Sequence, residues 1–214
     1  MNKSKKINKF KLGGSMKKSI FNRLAIFVGC VVFLALTLAT SAPAQSGGSG
    51  NVKTSIAPVL VIPTLEVVPT SGSSLSRNNN GVFFTFSTTG LTPGTVVTAW
   101  LGIFNNPQYC ATTPCTPADF GNPDVEASVL NAGGKIIGAD GAATYGAYRA
   151  VGDTTGAFFG PGLLYAKRAQ VDLVLRSHGL ASLDPDILNQ QLTTFNGGCP
   201  PNPCVSFSGS FHLP

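Results

Sequence analysis

His178 and His212 are the only two histidines in the chain. A zinc hydrolase centre usually takes three nitrogen or oxygen ligands. Asp172 would supply the third, but no spacing joins these residues and no H-E-x-x-H occurs. Arg176 lies beside them in sequence and completes the set that a hydrolytic reading would use. A serine nucleophile on a strand-to-helix elbow would sit in G-x-S-x-G, which is absent. Ser177, His178 and Asp184 make a poor triad, because neighbours on a strand point to opposite faces. Glycoside hydrolysis needs two facing carboxylates, and Glu66, Asp119, Asp124, Glu126, Asp172 and Asp186 show no pairing. Gly156, Gly160 and Gly162 are not followed by the Lys-Ser/Thr of a phosphate loop. The chain therefore reads as a protein with no cofactor and no resident metal. The catalytic alternative is an extracellular hydrolase, metal-dependent or carboxylate-based, built on Asp172, Arg176, His178 and His212.

Cysteine gives the clearest signal. Cys110-Ala-Thr-Thr-Pro-Cys115 and Cys199-Pro-Pro-Asn-Pro-Cys204 share one spacing, and proline stands in both gaps. Proline turns bring chain ends together, so two local bridges are the simplest of the three connectivities. Each closes a small loop, worth about 2 kcal/mol by chain entropy. The alternative is a four-thiolate zinc site, which more often uses two-residue gaps. With bridges formed, no free thiol is left for cysteine catalysis. Among the aromatics, Phe83, Phe84, Trp100, Tyr145 and Tyr148 read mainly as core and turn anchors. Phe158-Phe159 differs. It lies in a glycine-rich stretch, Gly152 to Gly162, with no period that would bury both rings, and is the candidate contact surface. Together with Trp100 it could serve a ligand-binding module.

The compartment and the elements follow. Eight of the fifteen cations precede residue 24, with no acid among them; from Gln45 onward seven cations face nine acids, a net charge of −2. That excludes the basic footprint of a nucleic-acid binder. A basic stretch, the apolar run Leu24 to Thr40, and Ala42-Pro43-Ala44 form a secretory signal over residues 1–44, cleaved after Ala44. Met16-Lys17-Lys18 would itself make an ordinary start. An uncleaved leader would be the only membrane contact, and Cys30 sits inside the apolar run, which argues against a lipoprotein. Export places the protein in the periplasm, at the cell surface or outside the cell, where the four remaining cysteines oxidise.

Residues 45–69 read as a Gly/Ser-rich linker followed by an extended arm, Ala57–Pro69, punctuated by Pro58, Pro63 and Pro69. An apolar arm of this kind needs cover, either from its own sheet or from a second molecule. Homo-oligomerisation through Ala57–Pro69 is the partner expectation. Residues 70–214 then alternate short strands with Gly/Pro turns. Strands are expected over 82–88, 95–104, 125–130, 142–151, 169–175 and 205–213. Gly133-Gly134 should break one of them, and Asp140-Gly141 should turn a hairpin. Asp184-Pro185 starts a short helix to about Thr193, burying Ile187, Leu188 and Leu192. On the last strand Val205, Phe207, Gly209 and Phe211 should share one face and Ser206, Ser208 and Ser210 the other. This is the pattern of an all-β antiparallel sandwich, immunoglobulin/fibronectin-like or jelly-roll-like, with one short helix and two disulfide loops.

Several separated pieces carry a resemblance. Gly90-Leu91-Thr92-Pro93-Gly94-Thr95 leads to Trp100 and Phe104-Asn105-Asn106-Pro107; Arg176-Ser177-His178-Gly179, Thr193-Thr194-Phe195-Asn196-Gly197-Gly198-Cys199 and Cys204-Val205-Ser206-Phe207 follow in order. Over about residues 70–214 the chain resembles a group of secreted bacterial β-rich proteins of unassigned function. The resemblance implies export and a β fold. In that group a histidine often stands where this chain has Asp172, so a shared metal role does not carry over. The Leu91-Thr92-Pro93-Gly94 turn is also similar to one hairpin of fibronectin type III domains, with Val97 in place of the expected tyrosine. Sequence thus points to an exported, non-catalytic structural or binding protein that self-associates through its N-terminal arm.

Overall fold

β-Branched and aromatic residues in period two, separated by glycine and proline turns, build ten strands and one helix in the computed structural model, which describes residues 51–214. The secretory leader expected over residues 1–44, with its expected cleavage after Ala44, lies outside the described residues. The strands are β1 (Lys53–Ala57), β2 (Leu60–Val61), β3 (Gly72–Arg77), β4 (Gly81–Thr88), β5 (Thr95–Phe104), β6 (Ala127–Ile136), β7 (Ala143–Ala150), β8 (Ala157–Phe159), β9 (Gln170–Leu180) and β10 (Val205–His212); α1 (Pro185–Thr193) lies between the last two. They form a four-stranded sheet, β1-β3-β4-β7, and a six-stranded sheet, β2-β10-β9-β5-β6-β8. Every strand pair is antiparallel. The architecture is an all-β antiparallel sandwich.

The core lies between the sheets. Leu75, Val82, Phe84 and Phe86 face Val97, Ala99, Leu101, Ile103, Val171, Leu173 and Leu175, all buried. Burying each of these side chains other than Ala99 contributes roughly 1.5–3 kcal/mol. At one edge the interior turns polar. Ser208, Ser210 and His212 point inward, since they pair with core-facing Leu175, Leu173 and Val171. Ser208 and Ser210 share a face opposite Gly209 and Phe211 as expected, but Ser206, paired with outward Arg176, does not join them, and Val205, paired with Ser177, does not join Gly209 and Phe211. The ladder shifts register between Ser206 and Ser208, and such a bulge reverses which residues face in.

Three more expectations are corrected. β6 runs straight through Gly133-Gly134, with a register shift opposite Ala99/Trp100. Gly134 is there for closeness: a Cβ on it would collide with the Leu192 backbone of α1. Asp140-Gly141 turns a corner between sheets and no hairpin, because β6 pairs with β5 and β8 while β7 pairs with β4. The 91–94 turn pins that corner, with Leu91 N–H donating to Gly141 O and Gly94 N–H to Ile137 O. Lys53–Ser55, read as linker, belong to a strand paired with β3.

The proline-spaced segment that follows is folded onto its own chain. Val59 is fully buried, β2 pairs with β10 at the sheet edge, and Val68 N–H donates to Val59 O. Among the described residues no helix is long and apolar enough to cross a membrane.

Candidate functional site

Alternation along β5 sends Thr98, Trp100, Gly102 and Phe104 to the outer face of the six-stranded sheet, yet every residue of β5 after Thr95 is buried. A third layer covers them: α1 and residues 194–204 at one end, and the short 3-10 turns Pro107–Tyr109, Pro117–Gly121 and Pro123–Val125 at the other. Each end carries one disulfide, Cys110–Cys115 and Cys199–Cys204, with Cα atoms 5.4 and 5.8 Å apart.

Under the second bridge lies His178, fully buried. Its Nε2 is 2.8 Å from Thr98 Oγ1 and its Nδ1 is 2.9 Å from Gly197 O. Thr98 Oγ1 also accepts from Trp100 Nε1 at 2.7 Å. Since Gly197 O can only accept, Nδ1 carries the proton and Nε2 accepts from Thr98. Burial pushes the imidazole below its ordinary value; the Arg176 cation adds to this, and the bond to Gly197 opposes it. α1 is held against this site by a polar residue. Asp184 caps it, accepting from the backbone N–H groups of Asp186 and Ile187. Its buried residue is Gln191, whose Nε2 donates to His178 O and Leu180 O. Ile187, expected inside, is 40 % exposed, and Leu188 and Leu192 are half-buried. Residues 182–191 needed a side chain that could satisfy strand carbonyls, and glutamine does this where leucine cannot.

Under the first bridge the carboxyl group is Asp172. It is 5 % exposed and accepts from Gln170 Nε2 at 2.9 Å. Its Cβ, Phe120 and Phe104 surround the open position over Gly102. Burial raises its pKa to about 7, against the Gln170 bond, which lowers it. Gln170 also spans Cys115, taking its N–H on Oε1 and donating to its carbonyl. Asp119 holds the loop's turn; N–H groups of Ala111 and then Thr116 keep its carboxylate below the ordinary range.

Six rings connect the two ends. Trp100 meets Phe195 edge-on at 5.0 Å, Phe195 stacks on Phe158 at 4.7 Å, and Phe158 meets Phe159 at 5.9 Å. Phe159 meets Phe120 at 5.3 Å and Phe120 stacks on Phe104 at 5.1 Å. Arg176 lies 4.1 Å over Phe195. Phe158-Phe159 belongs to the edge strand β8 and to no loop, with Phe158 54 % exposed and Phe159 half-buried. Trp100, at 2 % exposure, lies beneath the layer and offers no surface to a ligand.

The weak metal candidates do not meet. His178 lies on the outer face under residues 194–204. Asp172 lies on that face under the first loop. His212 points into the sandwich, with Nε2 2.6 Å from Ser73 Oγ and Nδ1 2.8 Å from Ser55 Oγ. Burial and the Arg77 cation lower its pKa to about 4. Nor do the four cysteines converge. The grouping that does form was missed: His178, Cys199 and Cys204 bring one nitrogen and two sulfurs within 4.8 Å of one another. Its signal was the antiparallel pairing of β9 with β10, which sets Val205 opposite Ser177 and hence Cys204 near His178. A cavity of about 240 Å³ at the end of the sandwich is lined by Leu91, Thr95, Val97, Ser177, Phe207 and neighbours, and none of its lining residues is ionisable.

Fold and site define a three-layered β-sandwich with two disulfide-closed outer loops. No protein-family model, curated protein or solved structure matches the chain.

Proposed function

We propose that this is an exported, non-catalytic structural or binding protein that self-associates through its N-terminal strand segment. The observation carrying the reading is the outward face of the four-stranded sheet, which bears no charged side chain. Its residues run in matched rows: Thr54, Ser76, Phe83 and Tyr148 in one, Ile56, Ser74, Thr85 and Gly146 in the next. Ile56 is 85 % exposed, Phe83 48 % and Tyr148 50 %. Thr54–Ser76 and Ser74–Thr85 hydroxyl pairs, each at 2.8 Å, satisfy one another across the strands.

Exposed sheets usually carry charges that stop edge-to-edge association. Here β1 is an open edge beside an uncharged face, which suits strand addition by a second copy. The segment Ala57–Pro69 then acts as the strap that sets β1 in place, and the contact falls on β1. The ionisable groups in the layer under the loops are tied into hydrogen bonds, which favours binding over catalysis. Sedimentation of the exported protein tests the reading. Wild type is expected to form oligomers, and Ile56→Lys to be monomeric with an unchanged circular dichroism spectrum. A wild type that stays monomeric at high concentration overturns it.

A further inference from the structure

The second bridge has a neighbour that the first lacks. Cys204 Sγ lies 3.4 Å from His178 Nδ1, and with Cys199 Sγ all three donor atoms fall within 4.8 Å. We propose that the Cys199–Cys204 bridge, once opened by a dithiol reductant, is a binding site for a borderline-soft cation of the zinc(II) class, with His178 as the third ligand.

Two thiolates and one imidazole are a zinc donor set, leaving a fourth position for water or an outside ligand. The step balances. A dithiol donor gives two electrons and two protons, the S–S bond breaks, and the donor becomes a disulfide. Binding of the cation then releases the two thiol protons to solvent. Both cysteines are half-buried, so a reductant can reach either sulfur; in the other bridge Cys110 is half-buried and Cys115 is 3 % exposed, which leaves one sulfur open to attack.

The imidazole can make the change without leaving its place. In the closed state Nδ1–H donates to Gly197 O and Nε2 accepts from Thr98. To ligate through Nδ1, the proton must move to Nε2, which then donates to Thr98 Oγ1. Thr98 can turn its own hydrogen to Arg176 O, 3.4 Å away, and it keeps the Trp100 donor. A ligating histidine held by a hydrogen bond from its other nitrogen is the usual second support of a zinc site. Gln191, bonded to His178 O, anchors the backbone beneath. In the gap, Pro200, Pro201 and Pro203 restrain the loop, so both sulfurs stay near the ring after the bridge opens.

The test uses the full exported chain, reduced, freed of reductant under anaerobic conditions, and titrated with Zn²⁺ or Co²⁺ alone. One Zn²⁺ per reduced chain in native mass spectrometry is expected, with a thiolate-to-cobalt absorption band for Co²⁺ and no uptake by the oxidised chain. The paired variant Cys110→Ser/Cys115→Ser should bind as wild type does, and Cys199→Ser/Cys204→Ser should bind none. His178→Asn keeps a donor for Gly197 and should weaken binding at least roughly tenfold. Equal uptake by Cys199→Ser/Cys204→Ser, or no stoichiometric uptake by reduced wild type, overturns the proposal. So does a loss of near-ultraviolet circular dichroism on reduction that Zn²⁺ does not restore.

Discussion

The two disulfide loops share a spacing, a proline-containing gap and a place in the same outer layer, yet they sit on different chemistry. Cys110–Cys115 closes over an apolar floor of Phe104, Val125 and Ala127, with Phe120 beside it, and burial raises the pKa of the Asp172 carboxyl group below it to about 7. Cys199–Cys204 closes over a polar floor of Thr98, His178 and Gln191, with Trp100 and Phe195 alongside. One loop covers stacked aromatic rings beside a buried Cys115–Gln170–Asp172 chain of hydrogen bonds; the other rests on a network that runs through a histidine and a tryptophan. Identical local sequence logic thus yields two sites, because β5 and β9 present different outward residues to each end. The bridge itself carries about 2 kcal/mol of loop-closure entropy in either place, and the neighbours decide what more it can do.

The largest expected effect comes from removing each floor. Phe104→Ala and Trp100→Ala, both at 2 % exposure or less, should each cost about 3–5 kcal/mol in denaturant unfolding. Trp100→Phe separates the two ends. It keeps a ring against Phe195 but removes the Nε1 donor, so Thr98 loses one bond and the cost should fall to about 1–2 kcal/mol. A Trp100→Phe variant as unstable as Trp100→Ala would mean that the network under the second loop matters more than its packing.

Acid and base should act on the loops in opposite directions. Asp172 titrates near 7 in the fold and near 3.8 when unfolded, so the folded state binds the extra proton. Its contribution is complete below about pH 4 and is lost as pH rises toward and through 7. His178 is lowered from 6.5 in the fold, so the unfolded state takes the proton first. Its contribution is complete above about pH 6.5 and is lost as pH falls below it. Hydrogen exchange across residues 107–125 should therefore speed up with rising pH beyond the intrinsic rate, and across residues 194–204 with falling pH. Asp172→Asn should stabilise the protein at pH 8, by up to about 4 kcal/mol, and abolish only the first trend. A parallel response of both loops would mean that the outer layer opens as one unit.

Much of this was legible in the residues. Thr95 to Phe104 and the helix after Asp184 occupy the spans that alternation and capping indicate, and both cysteine pairs close locally. What sequence did not show came from long-range partners. Whether Asp140-Gly141 makes a hairpin or a corner depends on the 91–94 turn, some fifty residues earlier. The bulge that turns Ser208, Ser210 and His212 inward exists only in the ladder with β9. Gly133-Gly134 read as a break because its reason, the approach of Leu192, lies on a helix far along the chain. At the site, Cys204 and His178 are 26 residues apart, and only strand pairing makes them neighbours.

The smallest effect tests whether the loops are separate at all. Phe120 belongs to the first and Phe195 to the second. They do not stack on each other but connect through Phe159 and Phe158. If the ladder merely fills space, Phe120→Ala and Phe195→Ala each lose two aromatic contacts, and their costs add to within about 0.5 kcal/mol in the double variant. A coupling above about 1 kcal/mol would show that β8 transmits packing from one loop to the other. Phe158→Ala distinguishes the routes. Its ring is the exposed rung, so the variant should cost about 1 kcal/mol or less yet abolish any coupling that runs through it. Coupling that survives Phe158→Ala must instead pass through the backbone of β5, which lies beneath both floors.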